Sequence, residues 1–398
     1  MHIDQPILFV EINETEFIFV AMENDQNQNF KIIEKISEPI KGIFQGKLID
    51  IEDVSKKIKK NVEIIEKKTN YIFNEVTLVL DSFDFSCVSI SGFKKLNGSQ
   101  LLKENISYIL NSLKLSILEN MQKKTILHIF NSGSILDGVR VENLPIGLYG
   151  DFYNHELTFF LIKNNDLKNI KKIFNKSNLE VNKIILKKFS EGVQLIKKNT
   201  SETFLKITVG KDYSHINFFD RASFRYFENF NFGTNIILRD ITKTCSIKME
   251  TVLNILSKDF FKDHKPAKDE FIEKEYFIKD SFRKIRKQLI LDIVNARIEE
   301  IVNIILSENV NLHFLNKKNL KVYLDIEDQI VLENFGDNFN FYFSKNGSLK
   351  LIVIDDLDTV FSFTNAANLS IYGWKKEAIP ITQIKNSIIT RIFKSIFG

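Results

Sequence analysis

Side chains able to do chemistry are present in this chain, but their spacing argues against catalysis. The six histidines, His2, His128, His155, His215, His264 and His313, never fall at a metal-ligand spacing such as H-x-x-x-H. Cys87 and Cys245 stand alone, which leaves no cysteine metal site and suits a reducing compartment. Two acidic groups, Asp325/Glu327/Asp328 and Asp355/Asp356/Asp358, could hold a cation, although acidic turns at strand ends explain them more simply. No nucleophile elbow, Walker loop or G-x-G-x-x-G occurs, so neither a catalytic residue nor a bound metal is expected. The C-terminus carries the clearest physical purpose. Wound at about 100° per residue, residues 387–397 place Ile388, Ile389, Ile392, Phe393, Ile396 and Phe397 on one half of a cylinder. Ser387, Thr390, Arg391, Lys394 and Ser395 fall on the other half. No acidic residue follows Glu377, and Pro380 separates the segment from what precedes it. Such a helix fits the headgroup plane of an anionic membrane. At roughly three turns it should fold only against a surface, and docking on its own domain is the competing reading.

The elements that must position such groups are bounded by composition. At 398 residues the chain is long enough for two or more domains. With 44% hydrophobic and 27% charged residues it reads as an ordinary globular protein. The formal charge of +4 is too small and too dispersed for a nucleic-acid protein. No run of 18 apolar residues occurs, so no spanning helix is expected, and Asp4, Glu11 and Glu14 make the N-terminus unlike a signal peptide. Fifteen glycines and five prolines are few, and no glycine-rich phosphate loop appears.

Along the chain, Ile7–Val10 and Phe17–Met22 read as a hairpin around Asn13-Glu14-Thr15. Ile49–Lys68 has helical spacing, and Val76–Leu80 is a short strand. Between Ser82 and Lys163 the pattern predicts strands at Phe83–Ile90, Ile126–Phe130 and Leu157–Ile162, with a helix over Leu101–Ser116. Asp166–Ser177 and Ser190–Lys197 are helical, and Phe204–Phe219 repeats the opening strand–turn–strand pattern. That recurrence suggests a duplicated α/β architecture. Lys258–Lys287, dense in both charge signs, reads as a solvated loop and helix face, and Leu289–Ser307 as a helix. Lys321–Leu324, Phe339–Phe343 and Leu349–Ile354 read as late strands.

In this order the segments resemble the FtsA family of bacterial cell-division proteins, members of the actin-like superfamily. Val10-Glu11-Ile12-Asn13-Glu14 occupies the place of the family's opening strand and Asp-or-Glu-Ile-Gly-Thr. Gly46-Lys47-Leu48-Ile49-Asp50-Ile51-Glu52 is similar to "G-V-I-x-D-x-E". The most specific match runs through Leu127-His128-Ile129-Phe130, Asp137-Gly138 and Leu144-Pro145-Ile146-Gly147-Leu148-Tyr149-Gly150, within the family's inserted subdomain. Leu179-Glu180-Val181, Asn231-Phe232-Gly233-Thr234-Asn235 with Arg239-Asp240-Ile241, and Asn295-Ala296-Arg297-Ile298-Glu299-Glu300 continue it. Family members also end in a linker and a basic amphipathic helix. The resemblance implies an actin-like, duplicated RNase H-like fold of two lobes. The first lobe would take 1–80 and 164–200, an inserted SHS2-like α+β subdomain 81–163, and the second lobe 201–373. A linker over 374–383 and a membrane-targeting helix over 384–398 would follow.

The departures from the family pattern fall at the nucleotide. Actin-like ATPases clamp phosphates with glycine-rich hairpins, because glycine lets backbone N–H groups approach. Asn13-Glu14 replaces Gly-Thr in the first hairpin. In the second, "D-I-G-G-G-T-x-D" becomes Thr208-Val209-Gly210-Lys211-Asp212-Tyr213-Ser214-His215, with both magnesium-organising carboxylates replaced. The late "T-G-G" turn corresponds to about Leu324-Asp325-Ile326, and Gly233 remains from a later glycine pair. Lys211 could offer its ammonium to a phosphate, leaving weak ATP and magnesium binding open, but the expectation is a protein without a cofactor and without ATPase activity. The resemblance implies an adaptor on the cytoplasmic face of the inner membrane at the division site. It would polymerise, bind the FtsZ C-terminal peptide and other divisome proteins, and leave nucleic acid alone. Arg283, Arg286 and Arg297 are the candidates for meeting acidic residues of that peptide, although Arg297 could equally be a structural partner of Glu299 or of Glu300's neighbours. The alternatives are an actin-like ATPase that retains ATP binding and an adaptor like the type IV pilus assembly protein PilM.

Overall fold

A computed structural model describes residues 5–378 of the chain, apart from 14–15, 25–29, 41, 45–46, 82, 200, 258–260, 262–268, 278–279, 313–319, 346–349 and 354–358. These residues divide into two units, one of 1–202, 219–225 and 357–398, the other of 203–218 and 226–356.

In the first unit, β1 (Ile7–Ile12) and β2 (Glu16–Asn24) form the expected antiparallel hairpin, which β3 (Phe30–Pro39) extends. A two-residue pair, β4 (Ile43–Phe44) and β5 (Lys47–Leu48), leads into α1 (Ile51–Thr69). The Asp50 side chain caps α1 by accepting the Asp53 N–H at 2.9 Å, and Asn70 in the left-handed region ends it. β6 (Glu75–Leu80) runs parallel to β1. An antiparallel sheet follows in the order β7-β10-β8-β9, built from β7 (Phe85–Lys95), β8 (Lys124–Leu136), β9 (Val139–Val141) and β10 (Phe152–Lys163). Helix α2 (Lys103–Asn120) packs on β7 and β10 through Ile109, Leu110 and Ile117. The chain then returns through α3 (Asn164–Asn175), β11 (Glu180–Leu186) and α4 (Lys187–Asn199), with β11 parallel to β6.

The second unit holds β12 (Phe204–Val209), most of β13 (Ser214–Asp220) and of β14 (Ser223–Phe230), α5 (Thr234–Cys245) and α6 (Met249–Leu256). It continues with α7 (Lys287–Val302), β15 (Lys321–Ile326), α8 (Gln329–Lys345) and β16 (Lys350–Val353). Helix α9 (Thr359–Tyr372) groups with the first unit. The large sheets read β11-β6-β1-β2-β3 and β14-β13-β12-β15-β16. Numbered by order of appearance within each sheet, both run 3-2-1-4-5, with strands 1, 4 and 5 parallel. The duplication inferred from the two hairpins is therefore real at the level of topology. β1 is buried from Leu8 to Ile12 and β12 along its whole length, as strands covered on both faces must be.

Two expectations fail for identifiable reasons. Phe339–Phe343 is not a strand but part of α8, where Phe335, Phe339 and Phe343 recur every four residues and are fully buried together. The Phe-Asn-Phe-Tyr-Phe run imitates a period of two, yet the longer window from Val331 carries the helical period. The stretch Lys258–Lys287 is not simply a solvated face, because Ile272, Tyr276, Phe277 and Ile285 enter the core of the second unit. Phe339→Ala should cost about 3–5 kcal/mol in chemical denaturation, whereas Phe341→Ala, at a residue 61% exposed, should cost under about 0.5 kcal/mol. A strand would instead give the two changes similar costs.

Candidate functional site

Open α/β sheets bind ligands beyond the carboxyl ends of their parallel strands. In the first unit three chemistry-bearing segments converge there. Glu11 lies next to the last residue of β1, Asp81 directly follows β6, and Lys187 opens α4 directly after β11. The parallel registers Glu11↔Val79 and Leu186↔Leu80 bring these positions side by side. Lys187 Nζ donates to Glu11 Oε1 at 2.8 Å and lies 3.4 Å from Asp81 Oδ2. Lys188 Nζ reaches Asp81 Oδ1 at 2.7 Å and the Asp81 carbonyl at 3.1 Å. Glu11 is 3% exposed, and burial lifts its carboxyl above the usual carboxylate range against the pull of Lys187. Burial alone would depress Lys187, yet Asp81 and Glu11 together hold its ammonium well above the ordinary lysine value.

The cluster thus neutralises itself. A magnesium ion would meet an ammonium already held by both carboxylates, and a triphosphate would face Glu11 and Asp81. The first hairpin is also turned inward: Asn13 Oδ1 accepts the Glu16 N–H at 2.8 Å, and Asn13 N–H donates to the Glu16 carbonyl at 3.3 Å. Glu14 lies outside the described residues. The groups present in this unit do not fit a magnesium–nucleotide ligand.

In the second unit the residues aligned with the second phosphate hairpin follow β12. Gly210 N–H donates to the Tyr213 carbonyl at 2.9 Å and closes the turn. The carbonyls of Gly210 and Lys211 accept the Thr234 and Asn235 N–H groups, each at 2.9 Å. Those are the first N–H groups of α5, the type of donor that anions use at a helix N-terminus. Gly233 permits this approach, since a Cβ there would stand 2.2 Å from the Gly210 carbonyl oxygen. Asn235 also donates through its side chain to Asp212 at 3.0 Å, and Arg239 lies 3.7 Å from the same carboxylate. Glu327 Oε2 comes within 2.8 Å of the point a Cβ on Gly210 would occupy, so a carboxylate covers that glycine where a phosphate would need room. Lys211 is exposed, and its carbonyl serves α5. Thr208 is buried, with a hydroxyl that has no partner among the described residues, and the His215 ring lies 6.2 Å from that of Phe227. Leu324–Ile326 is the end of β15 rather than a turn, and Glu327-Asp328 makes the turn instead. Of the acidic groups, Asp325 pairs with Lys206 at 3.1 Å, Asp328 accepts the Thr234 hydroxyl at 2.9 Å, and 355–358 lies outside the described residues.

The partner candidates separate. Arg297 pairs internally, with Asp240 on α5 and with Glu300. Arg283 and Arg286 are exposed beside Phe282 and Leu289, which are 48% and 40% exposed. Lys284 Nζ lies 4.4 Å above the Phe271 ring, and Phe282 meets Phe277 edge-on. The membrane-binding positions Ile388, Ile389, Arg391, Ile392, Phe393, Lys394, Ile396 and Phe397 lie outside the described residues. Sequence reasoning missed Asp81, Lys187 and Lys188. Their signal was a charged pair directly after the apolar run Ile184-Ile185-Leu186, opposite a carboxylate within an apolar strand.

No family model matches the chain. Among curated proteins it is similar to cell division protein FtsA of Borreliella burgdorferi, 19% identical over 63% of the chain and 60% of that relative. It is 18% identical to the FtsA of Escherichia coli over 69% of the chain and 65% of that relative. The chain thus spans somewhat less than two thirds of the length of these relatives. Among solved structures, the PilM–PilN type IV pilus biogenesis complex aligns over 94% of the chain and 99% of its own, with a TM-score of 0.52 and 8% identity. That likeness concerns the fold, which is actin-like.

Replacing Lys187 tests the closed cluster. Lys187→Met should destabilise the chain by about 2–4 kcal/mol, below the range for fully buried pairs because the Lys187 side chain keeps 23% exposure. Without the ammonium the Glu11 carboxyl rises further, and a raised acid binds its proton in the folded state first. Stability of the variant should therefore increase as pH falls from about 7 to about 5, more steeply than in the native chain. Denaturation midpoints across pH measure this, and parallel slopes would contradict the assignment.

Proposed function

We propose that this protein is a cell-division adaptor of the FtsA kind, which attaches FtsZ polymers to the cytoplasmic face of the inner membrane and works without ATP turnover. The observation that supports the nucleotide-independent part is the Lys187 ammonium seated between Glu11 and Asp81 at the carboxyl ends of the first sheet's parallel strands, where both carboxylates are already engaged. The likeness to FtsA relatives supports the division role. The basic amphipathic sequence of 387–397 supports a lipid contact. The basic and aromatic surface around Phe282, Arg283 and Arg286 supports recognition of an acidic peptide such as the FtsZ tail. Self-association of membrane-bound copies would then make a weak tail contact durable through avidity.

Three measurements test this reading. Magnesium–ATP should leave the melting temperature unchanged, whereas a ligand present at a hundred times its Kd would contribute about 2.7 kcal/mol. A clear thermal shift would return the protein to the ATPases. In flotation with anionic vesicles, Ile392→Asp with Phe393→Asp should release the chain without altering its melting. Continued flotation of that variant would remove the anchor. Arg283→Glu with Arg286→Glu should weaken binding of an FtsZ tail peptide by about tenfold, on the order of 1.4 kcal/mol. Unchanged affinity would move the peptide site elsewhere, and the absence of any binding by the native chain would favour a different envelope machine.

A further inference from the structure

Helix α3 presents charge of a single sign. Leu167, Ile170, Ile173 and Phe174 are buried on one side. Lys168, Lys171, Lys172, Asn175 and Lys176 occupy the opposite arc and line a shallow concavity of about 410 Å³. Lys176 pairs with Glu52 in the first turn of α1. No carboxylate among the described residues forms an ion pair with Lys168, Lys171 or Lys172. The one acid of the helix, Asp166, lies in its first turn and interacts with Lys163 and Lys47. A helix dipole favours cations in the last turn, which accounts for Lys172 and Lys176 but not for Lys168, two turns from the end.

The geometry points to α3 as a second membrane contact, a lysine face that lies against anionic lipid headgroups when the C-terminal tail is inserted. The inference rests on the membrane-tethered reading above. A protein partner would be met by an aromatic or aliphatic anchor in a desolvated pocket, and the exposed arc of α3 carries none. Lysine is a hydrated point charge without the fork that recognises one carboxylate or phosphate in a fixed pose, so a run of lysines suits a diffuse anionic layer. An exposed apolar side chain is also available in the same unit: Ile49, 66% exposed, directly follows β5, which packs on α3. Two separated contacts would fix the orientation of the first unit on the bilayer, which a single contact cannot do.

The full-length chain is compared with a Lys168→Gln/Lys171→Gln/Lys172→Gln variant on phosphatidylglycerol and phosphatidylcholine vesicles over a salt series. Partitioning onto phosphatidylglycerol should fall about fivefold per charge removed, with a shallower salt dependence, while partitioning onto phosphatidylcholine stays the same. The Ile392→Asp/Phe393→Asp chain should keep a weak, salt-sensitive affinity for phosphatidylglycerol that the three glutamines abolish. Equal binding and equal salt dependence of native and glutamine chains would overturn the proposal. So would a loss confined to an acidic peptide or to DNA, which would assign the face to a macromolecule instead. Should the aspartate variant bind as tightly as the native chain, the tail anchor fails by itself, and the lysine comparison still decides this contact.

Discussion

A carboxylate near the end of a central strand must be met by a cation or lose its charge, because burial removes the water that would otherwise hold it. Glu11 is such a group, and the chain answers with Lys187, placed by the direct passage from β11 into α4. The consequences spread from that pair. Asp81 joins the same ammonium, Lys188 closes on Asp81, and three parallel strands are tied together where an open sheet would offer its ligand crevice. Removing either partner leaves an uncompensated charge, so this arrangement resists drifting back toward a ligand site by single changes.

The second sheet reaches a similar end by other means. Its hairpin spends carbonyls rather than charges, since Gly210 and Lys211 turn their oxygens toward the first N–H groups of α5. A phosphate at that helix start would have to displace two short backbone hydrogen bonds and approach Glu327 as well. The duplicated topology is thus kept in both units, while Glu11 and Asp81 in one and the Gly210 and Lys211 carbonyls in the other are engaged by groups of their own unit.

Much of this was legible in the residues. The paired hairpins opening each half foretold the repeated 3-2-1-4-5 sheets, and α1, α2, α3 and α7 followed from helical spacing. β3 was missed although Phe30–Pro39 alternates along its length, because Lys and Glu fill the outward positions and mute the apolar signal. α8 was misread where five aromatic-rich residues imitate a strand inside a longer helical period. The loss of phosphate-binding glycines could be read directly. The charged cluster beside the first hairpin could not, since Glu11, Asp81 and Lys187 are far apart in sequence and meet only through strand register. A structural role for Arg297 was open from its acidic neighbours, but its partner Asp240 was not legible, lying 57 residues away on another helix.

The distribution of charge follows from the same economy of pairing. The chain carries almost as many acids as bases, 51 against 55, so no global field draws it to an anionic surface. Yet several acids are committed to pairs within the fold, Glu11 and Asp81 to Lys187 and Lys188, Asp325 to Lys206, Glu270 to Lys287 and Asp240 to Arg297. Internal pairs remove equal numbers of each sign and leave the excess to be placed locally. It is placed on α3, at Arg283 and Arg286, and in the sequence after Glu377, where no acid remains. A screened field reaches only about 10 Å at ordinary salt, so the location of these lysines and arginines, and not the net +4, decides what the protein meets.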